Sequence, residues 1–171
     1  DENEFKTPTR IPSLSKSNKH YNSQGGYWLG GVWAPTNYMV LKGLDNYKKY
    51  TLSHEIGRDY LNSVVEVYRD SNTLYENYAP EFVLGKAVPG KPAKSDFVGW
   101  TGIVPISVMF EYVFGIKPDA ANKKISWHIN RLEKHGIEKY PFGTEGELTL
   151  ICEKRSSPEE KPNVTVKSNV P

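Results

Sequence analysis

"TLSHEIGRDYLNSVVEVYRD", residues 51–70, carries the clearest period in the chain. Leu52, Ile56, Tyr60, Leu61, Val64, Val65 and Tyr68 recur at intervals of three and four, the spacing that lines one face of an amphipathic α-helix. Thr51 is a candidate N-cap, and Asn72 a candidate stop. Working upstream, "GGYWLGGVWAPTNYMVLKGL" (25–44) holds two glycine pairs around Tyr27 and Trp28, which allow tight backbone there. Pro35 suits the first turn of a second helix, with Met39, Val40, Leu41 and Leu44 as its apolar side.

Further out the character changes. Residues 1–24 are polar and aperiodic and read as an extended arm or loop. Thr73 to Asp96 is broken by Pro80, Pro89, Gly90 and Pro92 and kept polar by Lys86, Lys91 and Lys94; a loop this long inside a compact protein is usually functional or mobile. "SDFVGWTGIVPISVMFEYVFGI" (95–116) then predicts a helix, capped by Asp96 or Thr101, ending near Gly115 and buried on most sides. Its length falls short of the roughly 18 apolar residues that a membrane span needs. In the last fifty or so residues the period becomes two, as in Ile125, Trp127 and Ile129, and again in "GELTLICEK" and "NVTVKSNV". Three to five antiparallel strands are expected there. The fold class is therefore α+β, helical first and sheet second.

The chain has 171 residues, 37% of them hydrophobic and 25% charged, as in a folded globular protein with one core or a core and an appendage. Twenty-two Lys and Arg against twenty Asp and Glu leave a net charge of +2. That balance speaks against a nucleic-acid or membrane partner. His20, His54, His128 and His135 show no metal-ligand spacing, and neither a metal nor a cofactor is expected. Cys152, the single cysteine, reads as a buried strand residue. The start, "DENEF", has neither a signal-peptide pattern nor an initiator Met. It reads as a processed or trimmed end, which leaves the location open with a lean towards the periplasm or the exterior. Eleven Tyr, four Trp and six Phe provide flat apolar faces with polar tips, suited to core edges and sugar clefts alike.

One stretch raises a chemical question. In "LYENYAPE" (74–81), Glu76 could close a capping box on Thr73 or act on a substrate. Pro80 follows quickly and no apolar helical run comes after it, so the box lacks a helix to cap and chemistry is the better explanation. Glu81, in the same loop, reads as solvated or as a supporting partner.

Taken together and in this order, "GGYWLGGVWAPTNYMVLKGL", "LYENYAPE" and "DFVGWTGIVPISVMFEYVFGI" resemble the C-terminal blocks of trehalase-like glycoside hydrolases. The similarity is greatest to the mannosylglycerate-hydrolase-like and processing alpha-glucosidase-like branch. The tail, with "HGIEKYPFG" and "TVKSNVP", resembles the region C-terminal to the helical barrel in bacterial members, so the resemblance covers about residues 25–171. It implies a toroid of helical hairpins and hydrolysis of α-linked glucosyl or mannosyl bonds with inversion. It also implies that Glu76 is the general base and that Trp28, Trp33, Asn37 and Trp100 approach the cleft.

Together with the polar arm or loop read at 1–24, the resemblance implies a division into the last toroid helices (25–117) and an antiparallel β appendage (118–171). Leu29 stands where the family often has arginine, and no aspartate here matches the block that carries the general acid. The chain therefore reads as one part of the enzyme, weakly active or inactive alone. Its partners would be a carbohydrate and a further segment, a second chain or a copy of itself that covers the apolar helix faces. Trp28 and Trp33 serve equally as core residues, Trp100 after Gly99 leans slightly towards the cleft, and Asn37 serves equally as a local backbone bonder. A non-catalytic carbohydrate-binding or protein-interaction module is the alternative.

Overall fold

A computed structural model describes residues 1–169; the Val-Pro that ends the "TVKSNVP" tail lies outside the described residues. The protein is α+β and divides into two compact units, one ending at Met109 and one starting at Phe110.

The first unit holds a short helix α1 (Glu2–Phe5), then α2 (Ala34–Asn46) and α3 (Tyr50–Ser71), the last two packed on each other. The periodic stretch forms α3, which begins ahead of Thr51 with Lys49 at the N-cap. It ends where Asn72 turns left-handed at φ 55°, the Asn72 N–H donating to the Tyr68 carbonyl at 2.7 Å. Asparagine tolerates that conformation better than most residues. Ile56, Tyr60 and Val64 point inward as the period requires, whereas Leu52 and Tyr68 are exposed. Ser53, Gly57 and Ser63 share the buried face, so small residues admit close neighbours where larger apolar ones were expected. In α2 Pro35 does sit in the first turn. Its buried residues are Ala34, Asn37 and Leu41, while Met39 is 64% exposed and Val40 also faces outward.

The first residues are held firmly against this pair. Thr7, Thr9 and Arg10 are buried, and Arg10 has φ 87°. Its guanidinium bonds Glu55 at 2.6 Å and also Asp59, both on α3. The Thr9 N–H donates to the Pro80 carbonyl at 3.2 Å, and the Ser13 N–H to Gly31 at 3.0 Å.

Residues 73–96 form no helix and no named strand; isolated bridges join Val32 to Tyr78, Tyr78 to Pro89 and Gly25 to Lys91. Tyr78 and Tyr60 are fully buried, edge to face at 6.3 Å. Burial pushes the Tyr78 phenol up to about 12 and the Tyr60 phenol well above its usual value. Both ionise in the unfolded chain near pH 10. Unfolding then releases protons above that pH, so stability is fully present below pH 10 and declines as the pH rises towards 12. The Tyr78 contribution is on the order of 2–3 kcal/mol. Urea midpoints measured between pH 9 and 12 should fall, and Tyr78→Phe should flatten that fall.

The apolar run after residue 96 is not one regular α-helix. Trp100–Ile103 is a 3₁₀ turn and Val104–Val113 a π-helix, within which the unit boundary falls. Pro105, which has no N–H to give, lies in this segment. Val104, Val108, Tyr112 and Val113 are buried, and Ile106 is 69% exposed.

Among the described residues, the second unit holds five strands in two antiparallel sheets: β1 (Ile116–Asp119) with β2 (Lys124–Trp127), and β3 (His135–Phe142), β4 (Gly146–Cys152) and β5 (Val164–Ser168) in that order. The expected alternation through Ile129 stops at Trp127, whose indole donates to the Phe114 carbonyl at 2.9 Å. In β4, Leu148, Leu150 and Cys152 turn inward at a period of two. Cys152 is fully buried and burial pushes its thiol up, so it is an inert core residue. Arg155 is also buried and donates to the carbonyls of Ile129, Arg131, Pro158 and Glu160. One side chain thereby ties the β2–β3 loop to the β4–β5 loop.

Candidate active site

The loop that follows α3 and the segment that precedes α2 meet through a two-bond bridge. Val32 N–H donates to Tyr78 O at 2.9 Å, and Tyr78 N–H returns to Val32 O at 3.1 Å. Glycines permit this approach. A Cβ on Gly90 would lie 1.8 Å from the Asn77 Oδ1, and one on Gly31 would lie 2.3 Å from the Tyr27 carbonyl. Asn77 is fully buried, with its amide donating to the Pro92 carbonyl at 3.1 Å and its Oδ1 unpaired. The backbone at Tyr27 is left-handed, at φ 61°.

This arrangement delivers the Tyr27 hydroxyl to Glu76. It donates to Oε1 at 3.2 Å. Glu76 is 5% exposed, and its main chain is fixed on both sides: its N–H donates to the Lys94 carbonyl at 2.9 Å, and its carbonyl accepts from the Trp100 indole at 3.0 Å. The Thr101 hydroxyl holds the preceding carbonyl, that of Tyr75, at 2.8 Å. Oε2 takes no hydrogen bond from the described residues and is not sealed from solvent. Thr73 bonds Asp96 instead, donating to its carboxylate at 2.9 Å and accepting from its N–H at 3.0 Å. The capping box is not formed.

Four aromatic rings form one cluster, which reaches Glu76 through the Tyr27 hydroxyl on its carboxylate and the Trp100 indole on its main-chain carbonyl. Trp28 stacks on Trp33 at 4.0 Å and 9°, Tyr27 meets Trp33 edge-on at 4.7 Å, and Trp100 reaches Trp33 at 5.8 Å. Trp33 has no exposed surface, and its indole N–H is spent on the Tyr27 carbonyl at 3.2 Å. Trp28 and Trp100 are 49% and 41% exposed. Burial first, and then the hydrogen bond and charge of Glu76, push the Tyr27 phenol above its ordinary value.

The other candidates are placed differently. Asn37 is fully buried and its amide is used up: Oδ1 accepts from Ile11 N–H at 3.3 Å, and Nδ2 donates to the carbonyls of Ile11 and Trp33 at 3.0 and 3.1 Å. Glu81 accepts from the Tyr21 hydroxyl at 3.0 Å. Burial, reinforced by that carboxylate, raises the Tyr21 phenol strongly. Leu29 is half-exposed. Among the described residues, no group of three or more His, Cys, Asp or Glu could hold a metal ion, and no helix is long and apolar enough to cross a membrane. Sequence reasoning did not single out Tyr27 or Asn77 as site residues; the flanking glycine pairs were the signal for the first.

A glycosidase site uses a pair of carboxyl groups, and a buried carboxylate such as that of Glu76 has the chemistry of one of them. The family model of the mannosylglycerate hydrolase MGH1-like glycoside hydrolase domain matches residues 1–87. The chain belongs to this family. The matched span takes in Tyr27, Trp28, Trp33, Asn37 and Glu76 and stops short of Trp100. Relatives carry glucosidase names: the chain is 32% identical over 123 residues to a probable mannosyl-oligosaccharide glucosidase of Schizosaccharomyces pombe, covering 65% of this chain and 14% of that protein. It is 27% identical over 114 residues to alpha-glucosidase 2 of Arabidopsis thaliana, covering 58% of this chain and 14% of that one. An uncharacterized protein of Borreliella burgdorferi is 26% identical over 160 residues, or 89% of this chain and 33% of its own length. The chain thus spans a third or less of the length of these family relatives.

Proposed function

We propose that this chain forms the base-bearing part of an inverting glycoside hydrolase acting on α-linked glucosyl or mannosyl substrates. The observation that carries the reading is Glu76, a buried carboxylate with one oxygen held by Tyr27 and the other without a donor among the described residues, tied through Tyr27 and its own main-chain carbonyl to a cluster in which Trp28 and Trp100 are half-exposed. In this role Glu76 takes a proton from water as the water attacks the anomeric carbon. A carboxylic acid outside this chain protonates the leaving oxygen, at the roughly 6.5–9.5 Å from the base that leaves room for water. Trp28 and Trp100 offer the stacking wall. Trp33 and Asn37, both without exposed surface, contribute by holding that wall and the start of α2.

In the same reading, α2 and α3 belong to the closing hairpins of a helical toroid, residues 1–24 are its arm, and the strands from residue 118 onward are an appendage. The remaining hairpins come from a further segment or chain, or from self-association. Alone, the chain is weakly active or inactive. The test is stereochemical. With an aryl α-glucoside or α-mannoside and the complete enzyme, proton NMR should show the β-anomer as the first sugar released. Release of the α-anomer would mean retention and would remove Glu76 from the base role.

A further inference from the structure

We infer that Tyr27 is a positioning residue for Glu76, aligning the carboxylate so that Oε2 faces the attacking water. The inference rests on the assignment of Glu76 as base and extends it to a residue whose side chain need not touch the sugar.

The geometry has three parts. First, the Tyr27 hydroxyl is the one side-chain donor to the Glu76 carboxylate among the described residues, and it binds Oε1 alone. A carboxylate at the end of a flexible side chain can rotate to offer either oxygen to water; a donor on one oxygen selects the other. Second, the ring of Tyr27, though 38% exposed, packs edge-on against two indoles. Its plane stands at 89° to that of Trp33 at 4.7 Å and at 83° to that of Trp28 at 6.2 Å. Its own carbonyl accepts from the Trp33 indole at 3.2 Å and from the Gly31 N–H at 3.1 Å. Third, the backbone there is in the left-handed region at φ 61°, which costs free energy in a non-glycine residue. The surrounding bonds hold it there, and its result is that the hydroxyl reaches Glu76.

Precise alignment matters because a displacement of about 1 Å in a reacting group can cost on the order of 100-fold in rate. Tyr27→Phe keeps the ring and its packing while removing the hydroxyl that donates to Glu76. In the complete enzyme, with the aryl glycoside above, kcat should fall about 10-fold to 100-fold with KM nearly unchanged. A raised KM at constant kcat would make Tyr27 a substrate contact and overturn the inference. An unchanged kcat would overturn it too.

A readout independent of turnover uses the complete enzyme without substrate. Ultraviolet absorbance of phenolate on raising the pH, taken as the difference with and without Tyr27→Phe, isolates the Tyr27 titration. In Glu76→Gln that titration should move to lower pH, because the carboxylate charge that holds the phenol protonated is gone; no movement would show that the pair does not exist in solution. The two proposals fail separately. If Glu76→Gln abolishes hydrolysis but Tyr27→Phe leaves kcat intact, the positioning role falls and the base stands. If Glu76→Gln hydrolyses normally, the base assignment falls and takes this inference with it.

Discussion

Glu76→Gln in the complete enzyme should lower kcat by about 10²–10⁴-fold, the usual contribution of a positioned general base, while substrate affinity stays nearly constant. The amide cannot take a proton from water, but its carbonyl oxygen can still accept from the Tyr27 hydroxyl that now bonds Oε1 at 3.2 Å. The Lys94 and Trp100 bonds use main-chain atoms and are untouched. Fold and cluster should therefore survive, and the loss is chemical. Steady-state kinetics would be paired with calorimetric binding of a non-hydrolysable sugar analogue. Retained turnover would transfer the base role elsewhere. Lost binding together with lost turnover would mark Glu76 as a ligand of the sugar or of the fold, whereas in a non-catalytic binding module the change should barely alter sugar affinity.

Trp33→Ala should be the most damaging single change to the fold of the first unit. The indole has no exposed surface, and deleting a buried tryptophan typically costs about 3–5 kcal/mol, transfer and cavity together. Here the loss falls on both fold and site. Trp28 loses its stacking partner at 4.0 Å, Tyr27 its edge contact at 4.7 Å and Trp100 its neighbour at 5.8 Å. A urea titration of this chain followed by tryptophan fluorescence should show a midpoint shifted far down. Trp28→Ala, at a half-exposed ring, should shift it much less. Equal shifts would mean that the cluster is not organised around Trp33.

These two indoles also show what the amino-acid sequence discloses and what it withholds. Helix α3 was legible because seven apolar residues repeat at the helical interval, and its end because Asn72 is one of the few residues at ease in the left-handed region. Strand β4 was legible from its alternation. Trp28 and Trp33 were not separable, since an indole suits a core and a cleft equally and only tertiary packing decides which is covered. The π-winding of 104–113 escaped notice because an apolar run has no phase that distinguishes one helix from another. Leu52 and Met39 look like core residues, yet both are exposed, as serine, glycine and asparagine took the positions of closest approach. Glu76 stood out through its awkwardness as a cap. Its bond to Tyr27 did not, because it depends on a loop closing across α2 and α3, and no local pattern encodes that closure.

The Arg10 clamp bears on the order in which this molecule can assemble. Arg10 is joined to Glu55 and Asp59, and Thr9 to Pro80, so residues made before α3 find their partners only after α3 and the loop beyond it have left the ribosome. Contacts between such distant parts of a chain form late and slowly. Helix α3 can coil on contacts within itself as soon as it is made, whereas the Arg10 clamp and the Thr9–Pro80 bond need segments far apart in the chain to meet.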